Sequence, residues 1–306
     1  MRIAALAAGA VGGYFGGRLA AHGHDVHFIA RGAHRDAIAR DGLKIESVHG
    51  DLHLPKVNVT DDPAKVGPVD IVVFAVKLWD TEKAAALAKP LIGPNTRLIT
   101  LQNGVDSPER VAPIIGAAQT VGGIAYIATV IAAPGVIKHT SQFATMRFGH
   151  PDKHADPVLD EFVAAAKAAK LDIDLSKDIA VERWEKFIFL TAMAGATASL
   201  RSPIGPIRDD PETKAFFRKL MEEAFAVGKA KGVALDAGYV DARMAFLENK
   251  VEPGMKASMA HDLERGNRLE LDWLNGKVRA LGKELNVPTP ASNAVWTMLK
   301  LHRMGN

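Results

Sequence analysis

Through residues 1–177, short apolar runs alternate with longer stretches of helical periodicity. Ile3–Ala7, Val26–Ala30, Val69–Val76 and Arg97–Leu101 are rich in β-branched residues, as strands buried on both faces are. Val11–Ala21 and Trp79–Ala88 between them place apolar residues with helical spacing. This alternation predicts a parallel sheet with right-handed crossovers. Lys44–Val59 departs from it, with two strand-like pieces about His49-Gly50-Asp51 that read as a hairpin. A second β-rich patch, Val136–Phe148, follows the turn signal Pro134-Gly135. After Asp178 the strand signals cease. Val181–Leu200, Pro211–Lys231, Tyr239–Asn249, Ala260–Glu264, Leu269–Leu285 and Ala291–Met304 are all helix-like, with prolines 203, 206, 253, 288 and 290 at their boundaries. The pattern therefore predicts an α/β domain over residues 1–177 and an all-α domain over residues 178–306.

Composition narrows the function classes. Of 306 residues, 48% are apolar and 24% charged, which excludes a mostly disordered chain and leaves each half able to bury a core. The 38 basic and 35 acidic residues leave a net charge of +3, and Lys/Arg runs of five or more are missing, so nucleic acid is not an expected partner. The lack of cysteine excludes disulfides, thiolate catalysis and Cys-ligated zinc, and suits a reducing compartment. Ile3–Ala8 is too short and too soon interrupted by glycine for a signal peptide, and the longest uncharged stretch, Phe187–Leu200, is shorter than the ~20 residues a membrane span needs. A cytoplasmic protein without a membrane partner is expected. Histidines 22, 24 and 27, and 49 and 53, are close in sequence, but around a helix end and a hairpin they converge poorly, so no metal site is expected. Monomer and homodimer are indistinguishable in sequence, because a dimer face and a core face share one apolar pattern.

The first predicted strand runs into Ala7-Ala8-Gly9-Ala10-Val11-Gly12-Gly13, which opens a helix. This is a dinucleotide fingerprint with Ala7 in place of its first glycine. Gly9 stands where backbone must approach a pyrophosphate, Gly12 and Gly16 where helix must pack on strand, and the helix N-terminus supplies N–H donors. The alternative is a glycine-rich packing device with no ligand. Read as a nucleotide site, the turn makes the α/β half a Rossmann-type domain. NAD enzymes place a carboxylate near the end of the second strand; here Ile29-Ala30-Arg31-Gly32 offers Arg31, suited to a 2′-phosphate. NADP(H) is therefore the expected cofactor. Lys77 and Asn103 follow two further strands, where this fold collects its ligands.

Hydride transfer to a ketone requires a proton donor for the developing alkoxide. Lys186, in Trp184-Glu185-Lys186, shares a helix face with Leu190, Met193, Ala194 and Thr197, where desolvation disfavours its charge unless it has a partner. A snorkelling lysine is the plain alternative. Glu270, at the edge of the stripe Leu271, Leu274, Val278 and Leu281, is a candidate partner, or simply a carboxylate favoured by a helix dipole. Ser258 is a candidate substrate contact or the N-cap of a helix over Met259–Leu263.

Taken together, the chain resembles the ketopantoate reductase (2-dehydropantoate 2-reductase) family over nearly its whole length. The resemblance rests on Gly9-Ala10-Val11-Gly12 with Ala30-Arg31-Gly32, Val76-Lys77-Leu78-Trp79, Gln102-Asn103-Gly104, Trp184-Glu185-Lys186, Ser258-Met259, and Leu269-Glu270-Leu271-Asp272-Trp273-Leu274-Asn275-Gly276. It implies a Rossmann domain followed by a helical domain, with the site in the cleft between them. It implies NADPH as cofactor and a 2-oxo acid as the small-molecule substrate, 2-dehydropantoate in the family reaction. Lys186 would be the general acid and Glu270 the residue orienting substrate and cofactor; Ser258, with Lys186 and Thr197, would contact substrate. Ala7, Ala8, Gly9, Ala10, Val11, Gly12, Arg31, Lys77, Asn103, Ala128 and Glu270 would lie along the nucleotide. Two departures stand out. Ala7 replaces a glycine, and Leu190, Ala194 and Ile204 stand where ketopantoate-binding members carry asparagine, which predicts a substrate with a more apolar tail. The rival readings are a β-hydroxyacid-type dehydrogenase and a catalytically silent NADP(H)-binding regulator.

Overall fold

The computed structural model describes residues 1–305. The chain forms two compact units, Met1–Ile179 and Ala180–Asn306. Asn306, included in the expected second domain, lies outside the described residues.

The first unit is built on one sheet. Its strands are β1 (Arg2–Leu6), β2 (Asp25–Ile29), β3 (Leu43–Ser47), β4 (Leu52–Leu54), β5 (Asn58–Thr60), β6 (Ile71–Phe74), β7 (Arg97–Thr100), β8 (Thr120–Ala133), β9 (Val136–Gly149) and β10 (Asp172–Leu175). They lie in the order β4-β3-β9-β8-β7-β6-β1-β2-β5, with β10 also paired to β9. The stretch β8-β7-β6-β1-β2-β5 is parallel throughout, while β3–β4 and β8–β9 are antiparallel hairpins. The helices of this unit are α1 (Ala10–Ala21), α2 (Gly32–Asp41), α3 (Thr81–Ala88), α4 (Ser107–Ile115) and α5 (Pro157–Ala168). One apolar cluster, including Ile3, Ala5, Phe15, Leu19, Phe28, Val73 and Ile99, covers one face of the sheet; Ala4, Leu6, Val72, Phe74, Leu98 and Ala85 belong to a second. Successive residues of a strand thus enter different clusters, which is why β1 and β6 read as unbroken apolar runs.

Helix α1 is held close to the sheet by glycines. A Cβ on Gly12 would lie 2.9 Å from the Ala7 carbonyl oxygen, and one on Gly16 3.0 Å from the Phe28 ring. One on Gly17 would meet the Ile45 methyl at 2.6 Å.

The second unit is helical: α6 (Ile179–Ser199, entered from the last residue of the first unit), α7 (Ile204–Asp209), α8 (Pro211–Ala230), α9 (Tyr239–Lys250), α10 (Ser258–Glu264), α11 (Asn275–Glu284) and α12 (Pro290–Leu299). The N-terminus of α12 is capped from a distance. The buried carboxylate of Glu223 on α8 accepts from the Ala291 and Ser292 N–H groups at 2.7 and 2.8 Å. The expected single helix Leu269–Leu285 is divided. A 3-10 turn, Leu271–Trp273, is followed by Leu274 at φ −104° and ψ −104°, and only then does α11 begin. The stripe itself stands, with Leu271, Leu274, Val278 and Leu281 all buried. Thr120–Ala133, which carries no plain strand signal, is the first arm of the longest hairpin. Among the described residues no helix is long and apolar enough to cross a membrane.

Candidate active site

The expected nucleotide ligands of the first unit fall at one edge of its sheet. Strands β2, β1, β6 and β7 are consecutive and parallel, so their C-terminal ends are neighbours. Arg31 follows β2, the glycine turn follows β1, Lys77 follows β6 and Asn103 follows β7. The chain order reverses between β1 and β6, the place where open α/β sheets form a ligand crevice.

Within the turn, Gly9 is the N-cap of α1, with no side-chain cap and no acidic residue in the first turn. The N–H groups of the first helical turn therefore face outward, ready for an anion. Beyond its chain neighbours, a Cβ on Gly9 would come no nearer than 3.8 Å to another atom, and Gly9 has an ordinary φ of −76°. Neither backbone nor packing needs glycine here; the close approach of a pyrophosphate would. Gly12 is different, since the Ala7 carbonyl blocks any side chain. Ala7 itself has φ +60°, the left-handed conformation that the missing glycine of the fingerprint would adopt freely. The residues thus fit a dinucleotide, with one strained backbone position.

Arg31 is exposed at the N-terminus of α2, and no carboxylate stands at the end of β2. Lys77 is exposed with its ammonium 5.5 Å from the Trp79 ring centroid, and Asn103 is half-buried. The loops carrying them are tied together: Gln102 Nε2 donates to Thr81 Oγ1 at 2.8 Å, and Thr81 Oγ1 to the Leu78 carbonyl at 2.8 Å. Ala128 is exposed on β8, past the last residue paired with β7, at a register shift between Ile127 and Thr129. The β8–β9 hairpin reaches back to the turn through Ile131, whose methyl lies beside Gly9.

In the helical unit, Trp184 packs edge-on against Phe187 with ring centroids 5.5 Å apart, and buries the start of α6. Lys186 follows on the same helix, half-buried. Burial pushes its pKa down from 10.5 to about 8, and the charge of Glu270 opposes that fall. Glu270 is only 6% exposed and precedes the 3-10 turn without spending its carboxylate on a cap. Two residues hold its segment against α6. Asn275, wholly buried, donates to the Thr191 carbonyl at 3.2 Å, and Gly195 leaves room for it, since a Cβ there would sit 2.8 Å from Asn275 Nδ2. The sequence pattern assigns neither a role; its one signal is a glycine in mid-helix, which normally destabilises a helix.

Ser258 is exposed as the first residue of α10, whose N-cap is Ala257, so Ser258 is not the cap. Thr197 is wholly buried. Its hydroxyl donates to the Met193 carbonyl at 2.6 Å and accepts from the Ala257 N–H at 3.3 Å. Its hydroxyl is engaged by these two bonds and pins the segment that presents Ser258. Leu190 is half-buried, and Ala194 and Ile204 are wholly buried.

Away from these groups, His150, His154 and Asp156 bring potential ligand atoms within 4.8 Å of one another. Asp156 is already engaged: it accepts from His150 at 2.8 Å, from Arg97 and from the Val158 N–H, and the guanidinium disfavours a second cation.

Two family models match the chain: ketopantoate reductase PanE/ApbA over residues 3–153 and ketopantoate reductase PanE/ApbA C terminal over residues 178–303. The chain belongs to the ketopantoate reductase family. A 2-dehydropantoate 2-reductase of Mesorhizobium japonicum is 31% identical, the match covering 98% of this chain and 97% of that protein. The crystal structure of a PanE/ApbA family ketopantoate reductase from Ralstonia eutropha JMP134 superposes with a TM-score of 0.90 at 33% identity, covering 99% and 98% of the two chains. A D-mandelate dehydrogenase solved with NADH and anilino(oxo)acetate has the same fold, with a TM-score of 0.90, 18% identity and coverage of 99% and 98%. This member of the family is an oxidoreductase.

Proposed function

We propose that this reductase converts a 2-oxo acid to the 2-hydroxy acid with NADPH, the family reaction being 2-dehydropantoate to pantoate. The observation that carries the reading is Lys186, with its pKa brought to about 8 and the buried charge of Glu270 acting on it. Near neutral pH such a lysine is largely protonated, yet more acidic than an ordinary one, as a general acid should be. NADPH, when bound, supplies a hydride to the carbonyl carbon. Lys186 Nζ–H donates to the carbonyl oxygen, draws electron density onto it, and gives up a proton as the C–O double bond becomes single. Glu270 keeps Lys186 charged before that step. Ser258, on the exposed start of α10, is suited to the substrate carboxylate. Arg31 and the lack of an acid after β2 favour NADPH over NADH, because a carboxylate there would repel the 2′-phosphate.

A second reading concerns the substrate tail. Leu190, Ala194 and Ile204 supply no amide where ketopantoate-binding members carry asparagine, so the hydroxyl of 2-dehydropantoate has lost its hydrogen-bonding partners at these positions. An acid with an apolar tail loses nothing there. The experiment is NADPH oxidation followed by absorbance, with 2-dehydropantoate beside branched and aromatic 2-oxo acids and with NADH as control. Turnover of an apolar 2-oxo acid with higher kcat/KM than 2-dehydropantoate supports this substrate. The reverse order returns the enzyme to the family substrate. Binding of NADPH with no turnover of any 2-oxo acid would leave a silent nucleotide-binding protein.

A further inference from the structure

His34 makes two hydrogen bonds that join distant parts of the first unit. Its Nε2 lies 2.9 Å from the carbonyl oxygen of Ala8, inside the glycine turn. Its Nδ1 lies 3.0 Å from the backbone nitrogen of Gly135, at the tip of the β8–β9 hairpin. These partners fix the protonation state. A backbone N–H can only donate, so Nδ1 must carry a lone pair; a carbonyl can only accept, so Nε2 must carry the proton. The ring is therefore the neutral Nε2–H tautomer.

The position gives this ring a task. Ala8 stands between the strained Ala7, at φ +60°, and Gly9, the point of closest approach for a pyrophosphate. Its N–H is already tied to the Ile29 carbonyl at 2.8 Å, and His34 ties its carbonyl. Both backbone polar groups of Ala8, one in each of its two peptide units, are thus anchored directly after the strained residue, which holds Ala7 in a conformation it would otherwise leave at a gain of about 1–2 kcal/mol. His34 also lies on α2, three residues after Arg31, the N-cap of that helix. One ring thereby links the start of α2, the phosphate turn and the hairpin whose Ile131 borders Gly9.

We infer that His34 is a positioning residue for the nucleotide, presetting the turn that contains Ala7 so that its N–H groups are aligned before NADPH arrives. This rests on the dinucleotide reading of the turn proposed above. Two variants separate the bonds. In His34→Gln the amide nitrogen takes the place of Nε2 and keeps the donor to Ala8; in His34→Asn the amide oxygen takes the place of Nδ1 and keeps only the acceptor for Gly135. The experiment is equilibrium binding of NADPH, read by nucleotide fluorescence, with nucleotide-free thermal unfolding of each variant and kcat at saturating NADPH. H34N should bind NADPH about five- to tenfold more weakly, H34Q within about twofold of the parent, and kcat should hold in both. H34A, which keeps neither bond, should follow H34N. Unchanged NADPH affinity in H34N and H34A, with only Tm lowered, would reduce His34 to a structural residue and overturn the proposal; so would an H34Q as impaired as H34N. If the parent itself binds no NADPH, the reading of the turn fails first and the inference goes with it, an outcome distinct because no variant then has affinity to lose.

Discussion

Lys186 and Glu270 are coupled, and the coupling has a sign that can be measured. Burial lowers the lysine pKa to about 8 and Glu270 holds it up. The proposed general acid works while protonated, so kcat/KM for reduction should be level below that value and fall as pH rises through about 8. The reverse oxidation needs the neutral amine and should rise over the same range. In Glu270→Gln the opposing charge is gone, so the descending limb should move to lower pH; a limb that stays in place would separate the two residues. Ala7 gives a prediction of stability instead. At φ +60° an alanine is strained where glycine is not, and Ala7→Gly should raise stability by up to about 1 kcal/mol, net of the entropy that glycine costs, in denaturant titration. The substitution was visible in the sequence as a broken fingerprint. Its backbone consequence was not, because φ depends on the turn the neighbours impose.

Helix α1 shows how one substitution can carry different costs along a single element. A Cβ at Gly12 meets backbone, the Ala7 carbonyl at 2.9 Å, whereas one at Gly17 meets the end of the Ile45 side chain at 2.6 Å. A methyl can swing aside but a carbonyl in a tight turn cannot. Gly12→Ala should therefore cost about 1–3 kcal/mol and weaken NADPH binding, with Gly17→Ala clearly milder in the same denaturant series. Elements with a strong local period were the legible ones: β1, β2, β6, β7, α1, α6 and α8 lie within a few residues of where the apolar pattern puts them. The failures have physical causes. Thr120–Ala133 mixes small residues with exposed Val130 and Ile131, so β8 lacks an alternating face, and it is a strand because β7 and β9 pair with it. Leu269–Leu285 keeps its apolar period across a break, because periodicity records which side chains are buried and not whether the backbone between them is continuous.

Across the molecule, acid sensitivity should concentrate in the first unit. His139 is buried, and that burial, opposed by the Phe143 carbonyl and assisted by the charges of His49 and Arg18, holds its pKa below 6.5. The unfolded chain then binds more protons as pH falls through about 6.5, so stability is full above that value and lost below it. Asp156 adds to the loss at lower pH. Although burial pulls its carboxyl up, hydrogen bonds from His150 and Arg97 keep it below 3.8. Tm should thus be level near neutrality and decline below about pH 6.5, and His139→Gln should remove the first part of that slope; a slope unchanged in the variant would assign it elsewhere. The sequence by itself determined the two fold classes and the glycine turn after the first strand, because these follow from local period and residue type, and it offered Lys186 and Glu270 as candidates through the family resemblance of their motifs. Only the tertiary structure decided that Thr197 pins Ala257, that Asn275 fits against Gly195, and that His34 bridges Ala8 to Gly135. Each joins residues far apart in the chain through one or two polar atoms, and no local pattern of hydrophobic and polar positions records where a hydrogen bond ends.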